Sequence, residues 1–417
     1  MYYKQFSLKR KKLLIPLLIV GFLFFVIGFE VGISGFLTPF LQDALNLSVT
    51  ESYLAIVAIF SAFVVFGTPA GWIVKQVGFK ASMVIAFFIL AFGMIMIVPS
   101  ANMASFPIFL LALFTGGIGN ALMQASLNPY VTLMGPHESA TSRLCFMGIM
   151  NKLAWWIGPV FLGLFLDLKN VHLSHLSLPF YIVTGILVIL GILMYFAPLP
   201  EVKAKGENEH DENFSSTYAS GKSNIFQMPH LMLGVLAFFF YVGVETLPMA
   251  TIINFAKAVF GVNVENPEGY VKYVPIGMFI GYFFGLVVIP GIISQSNALK
   301  LFTVFGLIAA FCVIFLSGKM AVYSLAGIGF ANSIIGVAIW PLAIVDLGKF
   351  TKKGASFMVM GIVGGAVLPF IFGILIDKFK SGAVSTINDY QSAYWIFIPA
   401  YLFIFYFATL GYKIRRK

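Results

Sequence analysis

Apolar runs long enough to cross a hydrocarbon core, which takes roughly 20 helical residues, recur along the whole chain. They lie near 13–41, 50–73, 81–100, 106–134, 142–166, 178–198, 230–257, 272–293, 299–318, 321–348, 354–377 and 391–412. The runs lack the period-two alternation of a barrel strand, and lipid leaves a backbone few ways besides the helix to satisfy its polar groups. Twelve transmembrane helices are therefore predicted. The longest polar stretch, EVKAKGENEHDENFSSTYASGKSN at 201–224, reads as a solvated linker. It divides the helices six and six, giving an N-terminal bundle over 1–200, a cytoplasmic linker over 201–228 and a C-terminal bundle over 229–417.

The halves match in more than helix number. FFVIGFE at 24–30 recurs as FFYVGVE at 239–245, and PVFLGLFLD from Pro159 recurs as PFIFGILID from Pro369. Asn120 and Pro129 on the fourth run correspond to Asn332 and Pro341 on the tenth, both displaced by 212 residues. Three matches in the same order, with nearly constant displacement, point to duplication. Equal helix parity makes the repeats parallel in topology, so two six-helix bundles related by a pseudo-two-fold axis are expected to face each other across a central cavity.

Composition agrees, with 60% hydrophobic and only 10% charged residues against about a quarter charged in soluble domains. The net charge of +10 would admit nucleic acid as a partner, but its placement marks topology instead. Nineteen Lys and Arg fall on the side of the N-terminus, six on the other and Lys152 within a span, which predicts cytoplasmic termini. The first run is too long for a cleavable signal peptide and is expected to stay. Cys145 and Cys312 lie in apolar runs and read as small hydrophobes. No phosphate loop of the GxxxxGK[ST] kind occurs, the five histidines show no metal spacing, and GGIGN at 116–120 sits inside a membrane run with no preceding strand. An enzyme, a resident metal and a cofactor are therefore not expected.

The informative residues are polar ones at membrane depth. Glu30 and Glu245 end the repeated frame, and ionisable groups there usually face a cavity or a partner. They could bind substrate hydroxyls, take part in ion coupling or latch neighbouring helices. Lys152, about ten residues into the fifth helix, is a candidate partner for Glu30 in a pair that a proton or substrate could open. Asn120, Gln124, Asn128 and Thr132 recur every four residues on the fourth helix and so share one face. Such amides both donate and accept, which suits a polyhydroxylated neutral solute, with polar helix contacts as the plainer alternative. On the seventh helix Pro248 permits a break near Glu245, with Thr251 and Asn254 beyond. Trp155, Trp156 and Trp340 offer faces for a sugar ring or for packing.

Across nearly the whole chain the sequence resembles the L-fucose permease and glucose/galactose transporter family of the major facilitator superfamily. The resemblance is carried by LMQASLNPYVTLMGPHESATSRLCFMGIMNK on the fourth and fifth helices, by YVGVETLPMATIINF on the seventh and by AIWPLAIVDLGKFTKKGASFMVMGIVGGAVLP on the tenth and eleventh. It implies an all-α major facilitator fold, alternating access and uptake of a monosaccharide across a bacterial inner (plasma) membrane, with H+ ahead of Na+ as coupling ion and a monomer among membrane lipids. Asn151 is carried over as a sugar ligand beside Gln124. Gly35 and Gln124 stand where the fucose branch has an Asp and a Glu, and Gly148 where the family signature has a Gln. The expected substrate set is thus Gln124, Asn128, Asn151, Glu245, Asn254, Asn332 and Trp340, with Glu30 and Lys152 for ion coupling. Rival readings keep the fold with another cargo, such as an amino sugar, a cell-wall saccharide or a drug, or make it a non-transporting sugar sensor.

Overall fold

The computed structural model describes residues 2–47, 49–166, 172–200, 202, 218–219, 221–261, 270, 272–380 and 385–415. Most of the predicted linker, including 203–217, lies outside the described residues, as does Asp167 of the repeated Pro-Gly-Asp element. The described residues are helical with no strand. Thirteen α-helices are α1 (Tyr2–Ala44), α2 (Val49–Asn102), α3 (Phe106–Leu133), α4 (Ala140–Gly163), α5 (Ser177–Phe196), α6 (Pro229–Phe260), α7 (Tyr273–Val288), α8 (Gln295–Phe315), α9 (Gly318–Ile344), α10 (Thr351–Met360), α11 (Gly364–Phe379), α12 (Ile387–Ala393) and α13 (Phe397–Thr409).

These thirteen helices account for twelve crossings. The second and third predicted runs form one element, because α2 continues across a kink at Gly78, whose φ of 83° a side chain would strain. The apolar part of α2, Leu54–Asn102, is 49 residues long, enough for two passages. Conversely, α10 and α11 belong to a single span, Gly348–Phe379, and α12 and α13 to another, Ile387–Lys413. The predicted eighth run is the shorter apolar helix α7. The predicted fourth, fifth, seventh and tenth runs are α3, α4, α6 and α9.

The chain divides into two compact units. One comprises 1–136, 150–220 and 346–360, and the other 137–149, 221–345 and 361–417. In the first, α1 lies so close to α4 that a Cβ on Gly28 would come within 2.1 Å of the Asn151 carbonyl oxygen. α10 docks on α2, with Ser356 Oγ donating to the Gly67 carbonyl and Lys352 Nζ 5.3 Å from the Phe79 ring centroid. In the second unit, a Cβ on Gly364 of α11 would lie 1.9 Å from the Phe239 carbonyl of α6. Small residues set these approaches because lipid offers no hydrophobic drive between helices and close packing must hold them. Gln295 also ties this unit together, accepting from the Thr141 N–H and Oγ1 and donating to the His137 carbonyl.

Large apolar side chains point outward on many helices, among them Val65, Trp72, Phe92, Leu193, Phe283 and Val287. In water such a surface would be an aggregation liability. On helices of this length it is the face that meets acyl chains.

Candidate functional site

In the first unit the amide ladder of α3 ends on a carboxylate. Asn120 Nδ2 donates to Glu30 Oε2 at 2.8 Å, and Gln124 Nε2 donates to Asn120 Oδ1 at 2.8 Å. The direction follows from chemistry. A carboxylate accepts, so Asn120 must offer it an N–H and is left with its carbonyl for Gln124, whose own carbonyl oxygen is the outer end of the relay. Gly116 makes the room, since a Cβ there would sit 2.8 Å from Glu30 Oε1. A small apolar cavity adjoins Glu30, walled by Val26, Ile33, Leu90, Met94, Val183 and Leu187.

Elsewhere in this unit, Asn151 Nδ2 donates to the Phe24 carbonyl at 3.1 Å, fastening α4 to α1. Its carbonyl oxygen remains available as an acceptor. Lys152, 4% exposed, holds Nζ 3.8 Å from the Trp155 ring centroid, while Glu30 engages Asn120. The described contacts of Glu30 and Lys152 are therefore separate. Asn128 and Thr132 are buried on the same ladder, Thr132 Oγ1 donating to the Asn128 backbone carbonyl.

In the second unit α6 is continuous through Pro248. Proline removes the N–H that would have bonded the carbonyl four residues back, and the Val244 carbonyl so released accepts from Asn332 Nδ2 at 2.9 Å. Asn332 Oδ1 in turn accepts from the Tyr401 hydroxyl at 3.0 Å. Both ends of this amide are thus engaged in joining α6, α9 and α13. Thr251 Oγ1 contacts the Tyr394 hydroxyl at 2.6 Å, and Asn254 lies on an exposed face of α6. Trp340 is 2% exposed, and its ring meets Phe238 edge to face with centroids 5.4 Å apart.

Glu245 has a different company from Glu30. The Tyr241 hydroxyl hydrogen-bonds Glu245 and also the hydroxyl of Tyr282 on α7. Neither tyrosine stands out in the sequence, because a Tyr in an apolar run is most often packing. The repeat holds a signal for Tyr241. The 212-residue displacement that pairs Asn120 with Asn332 pairs Gln124 with Gly336, so the second half lacks the ladder's side chain where Tyr241 enters.

Twelve apolar crossings, a duplicated helix order and carboxylate–amide sets at membrane depth define a multi-pass membrane protein of the duplicated-bundle transporter class. The model of the Major Facilitator Superfamily matches residues 20–361, and the chain belongs to that superfamily. A Brucella abortus protein named glucose/galactose transporter is 29% identical over 400 residues, 94% of this chain and 92% of the relative. The Escherichia coli L-fucose-proton symporter is 27% identical over 390 residues, 87% of each. The crystal structure of the Escherichia coli fucose:proton symporter aligns with a TM-score of 0.80 over 97% of this chain and 99% of that one, at 23% identity. The fold is therefore that of the superfamily, and the superfamily and these relatives are transporters.

Proposed function

We propose that this protein imports a neutral monosaccharide of the glucose/galactose kind by alternating access, coupled to a cation, with H+ ahead of Na+. Two observations support the reading. Proteins named as glucose/galactose transporters are similar to it over 94% of its length, and the relay from Gln124 through Asn120 to Glu30 has the chemistry such coupling requires. The relay carries it. While Glu30 is ionised, its demand for a donor fixes the direction of both amides and presents the Gln124 carbonyl to a substrate hydroxyl. A cation or proton at Glu30 relaxes that demand and frees the amides to turn, linking ion occupancy to sugar binding.

On this reading Gln124, Asn128, Asn151, Glu245, Asn254, Asn332 and Trp340 are the sugar ligands, with Glu30 and Lys152 serving ion coupling. Residues 1–200 and 229–417 act as the two moving bundles, joined by 201–228, in an inner membrane with cytoplasmic termini. The test is uptake of labelled glucose and galactose into proteoliposomes under separate pH and Na+ gradients. Glu30→Gln, which keeps the partner of Asn120 but cannot ionise, should abolish gradient-driven accumulation and leave sugar counterflow. Accumulation that survives the substitution removes Glu30 from coupling, and an absence of hexose counterflow in the wild type removes the sugar reading.

A further inference from the structure

The hydroxyl of Tyr241, one turn before Glu245 on α6, bonds Glu245 on one side and Tyr282 on the other. Both tyrosines are buried, at 5% and 3% exposed, whereas Glu245 is half-buried. Both rings rest where a glycine leaves space. A Cβ on Gly336 would lie 2.1 Å from Tyr241 Cζ and 2.5 Å from its hydroxyl oxygen, and one on Gly148 would lie 2.5 Å from Tyr282 Cε1 and Cζ. No side chain can be added at either glycine without driving a ring out. Two helices, α4 and α9, are thereby shaped around two phenols, from α6 and α7, whose hydroxyls meet beside one carboxylate. Phe238 touches Tyr241 on one side and Trp340 on the other, and the buried Trp340 Nε1 has no hydrogen-bond partner among the described residues. A donor left open in such a cluster is what a ligand oxygen would complete.

We propose that Tyr241 and Tyr282 are positioning residues that fix Glu245 as a hydrogen-bond acceptor for one hydroxyl of the sugar, and so set which hexoses are taken. The inference rests on the sugar reading above. A carboxylate oxygen accepts, so Tyr241 donates to it and the Tyr241 oxygen accepts from Tyr282. The Tyr241 hydroxyl orients the carboxylate, and the half-buried position of Glu245 lets a substrate hydroxyl reach it as a further donor. A substrate must then supply a hydroxyl proton at that point, and an analogue deoxygenated there is rejected because the oriented acceptor is left unmatched.

The experiment measures binding of glucose, galactose and each singly deoxygenated analogue to purified protein, comparing wild type, Tyr241→Phe, Tyr282→Phe, Glu245→Gln and the Tyr241→Phe/Glu245→Gln double variant. Phenylalanine keeps each ring on its glycine and removes only the hydroxyl. The wild type should discriminate against one deoxy analogue by at least tenfold. Tyr241→Phe should erase most of that discrimination, Tyr282→Phe should reduce it less, and Tyr241→Phe should add little once Glu245 is Gln, because the two act as one unit. A uniform loss of affinity across the analogue panel, or full additivity of the two substitutions, overturns the proposal. If Tyr241→Phe does not yield folded protein, Tyr282→Phe decides alone by the same discrimination ratio. A wild type that binds sugar with unaltered discrimination in both tyrosine variants sinks this inference alone, whereas a wild type that binds no hexose sinks the sugar reading with it.

Discussion

The two repeats carry the same Glu and the same Asn and wire them differently. In the first, Asn120 reaches the carboxylate of Glu30. In the second, Asn332 reaches the backbone of Val244, one residue short of Glu245. The cause is Pro248, which has no counterpart on α1, where Ile33 stands 215 residues earlier. By releasing the Val244 carbonyl, the proline offers Asn332 an acceptor that cannot be left bare in lipid, and Glu245 passes to Tyr241. A second exchange follows the first. Where α3 has Gln124, α9 has Gly336, and where α6 has Tyr241, α1 has Val26 facing the small cavity at Glu30. Duplication supplied the frame, and a handful of substitutions turned one copy into an amide relay and the other into a phenol relay.

The largest effect expected from breaking this comparison is at Asn120. Asn120→Leu strands a carboxylate and the Gln124 amide together and should cost about 3 kcal/mol, the scale of a lost hydrogen bond to a charged group. Unfolding by sodium dodecyl sulfate titration in mixed micelles would read it, and adding Glu30→Gln should recover part because a neutral group is then left behind. An equal loss in both backgrounds would mean that the Asn120–Glu30 bond contributes nothing.

Asn332→Leu should cost about 2 kcal/mol, since the Val244 carbonyl and the Tyr401 hydroxyl both lose a partner of the neutral kind. Pro248→Ala in the same chain sharpens the test. It restores an N–H to the Val244 carbonyl, so the double variant should be more stable than Asn332→Leu alone, by an interaction term of about 1 kcal/mol in the double-mutant cycle. Without that rescue, the released carbonyl does not explain why the repeats diverge.

The smallest effect belongs to Gly116→Ala, where the added Cβ meets the far ends of the Glu30 and Met94 side chains. A stability change under about 1 kcal/mol is expected, together with a weakened response of uptake to the ion gradient as the carboxylate is pushed off Asn120. An unchanged gradient response would separate the position of Glu30 from its role.

Much of this was legible in the residues. Hydropathy gave the twelve crossings, because each element must satisfy its backbone within its own span of lipid and so leaves a local signature. The spacing of Asn120 and Gln124 put them on one face, and the 2.8 Å bond between them realises that spacing. Glu30 was marked by its depth alone. Its partner was not, since Lys152 offered the opposite charge within a span, and only packing brings Asn120 to Glu30. The break that Pro248 permits does not occur, because a neighbouring amide satisfies the released carbonyl and lets the helix run on.

The sequence by itself therefore determined the class of molecule, its duplication and the depth of its ionisable groups, all of which are read from composition and from spacing along the chain. The tertiary structure decided which polar group meets which. Those pairings join residues from 41 to 90 positions apart, and a donor finds its acceptor through the close approach that a glycine permits or the vacancy that a proline creates on another helix. No periodicity records such an event, because its cause lies between helices and not along any one of them.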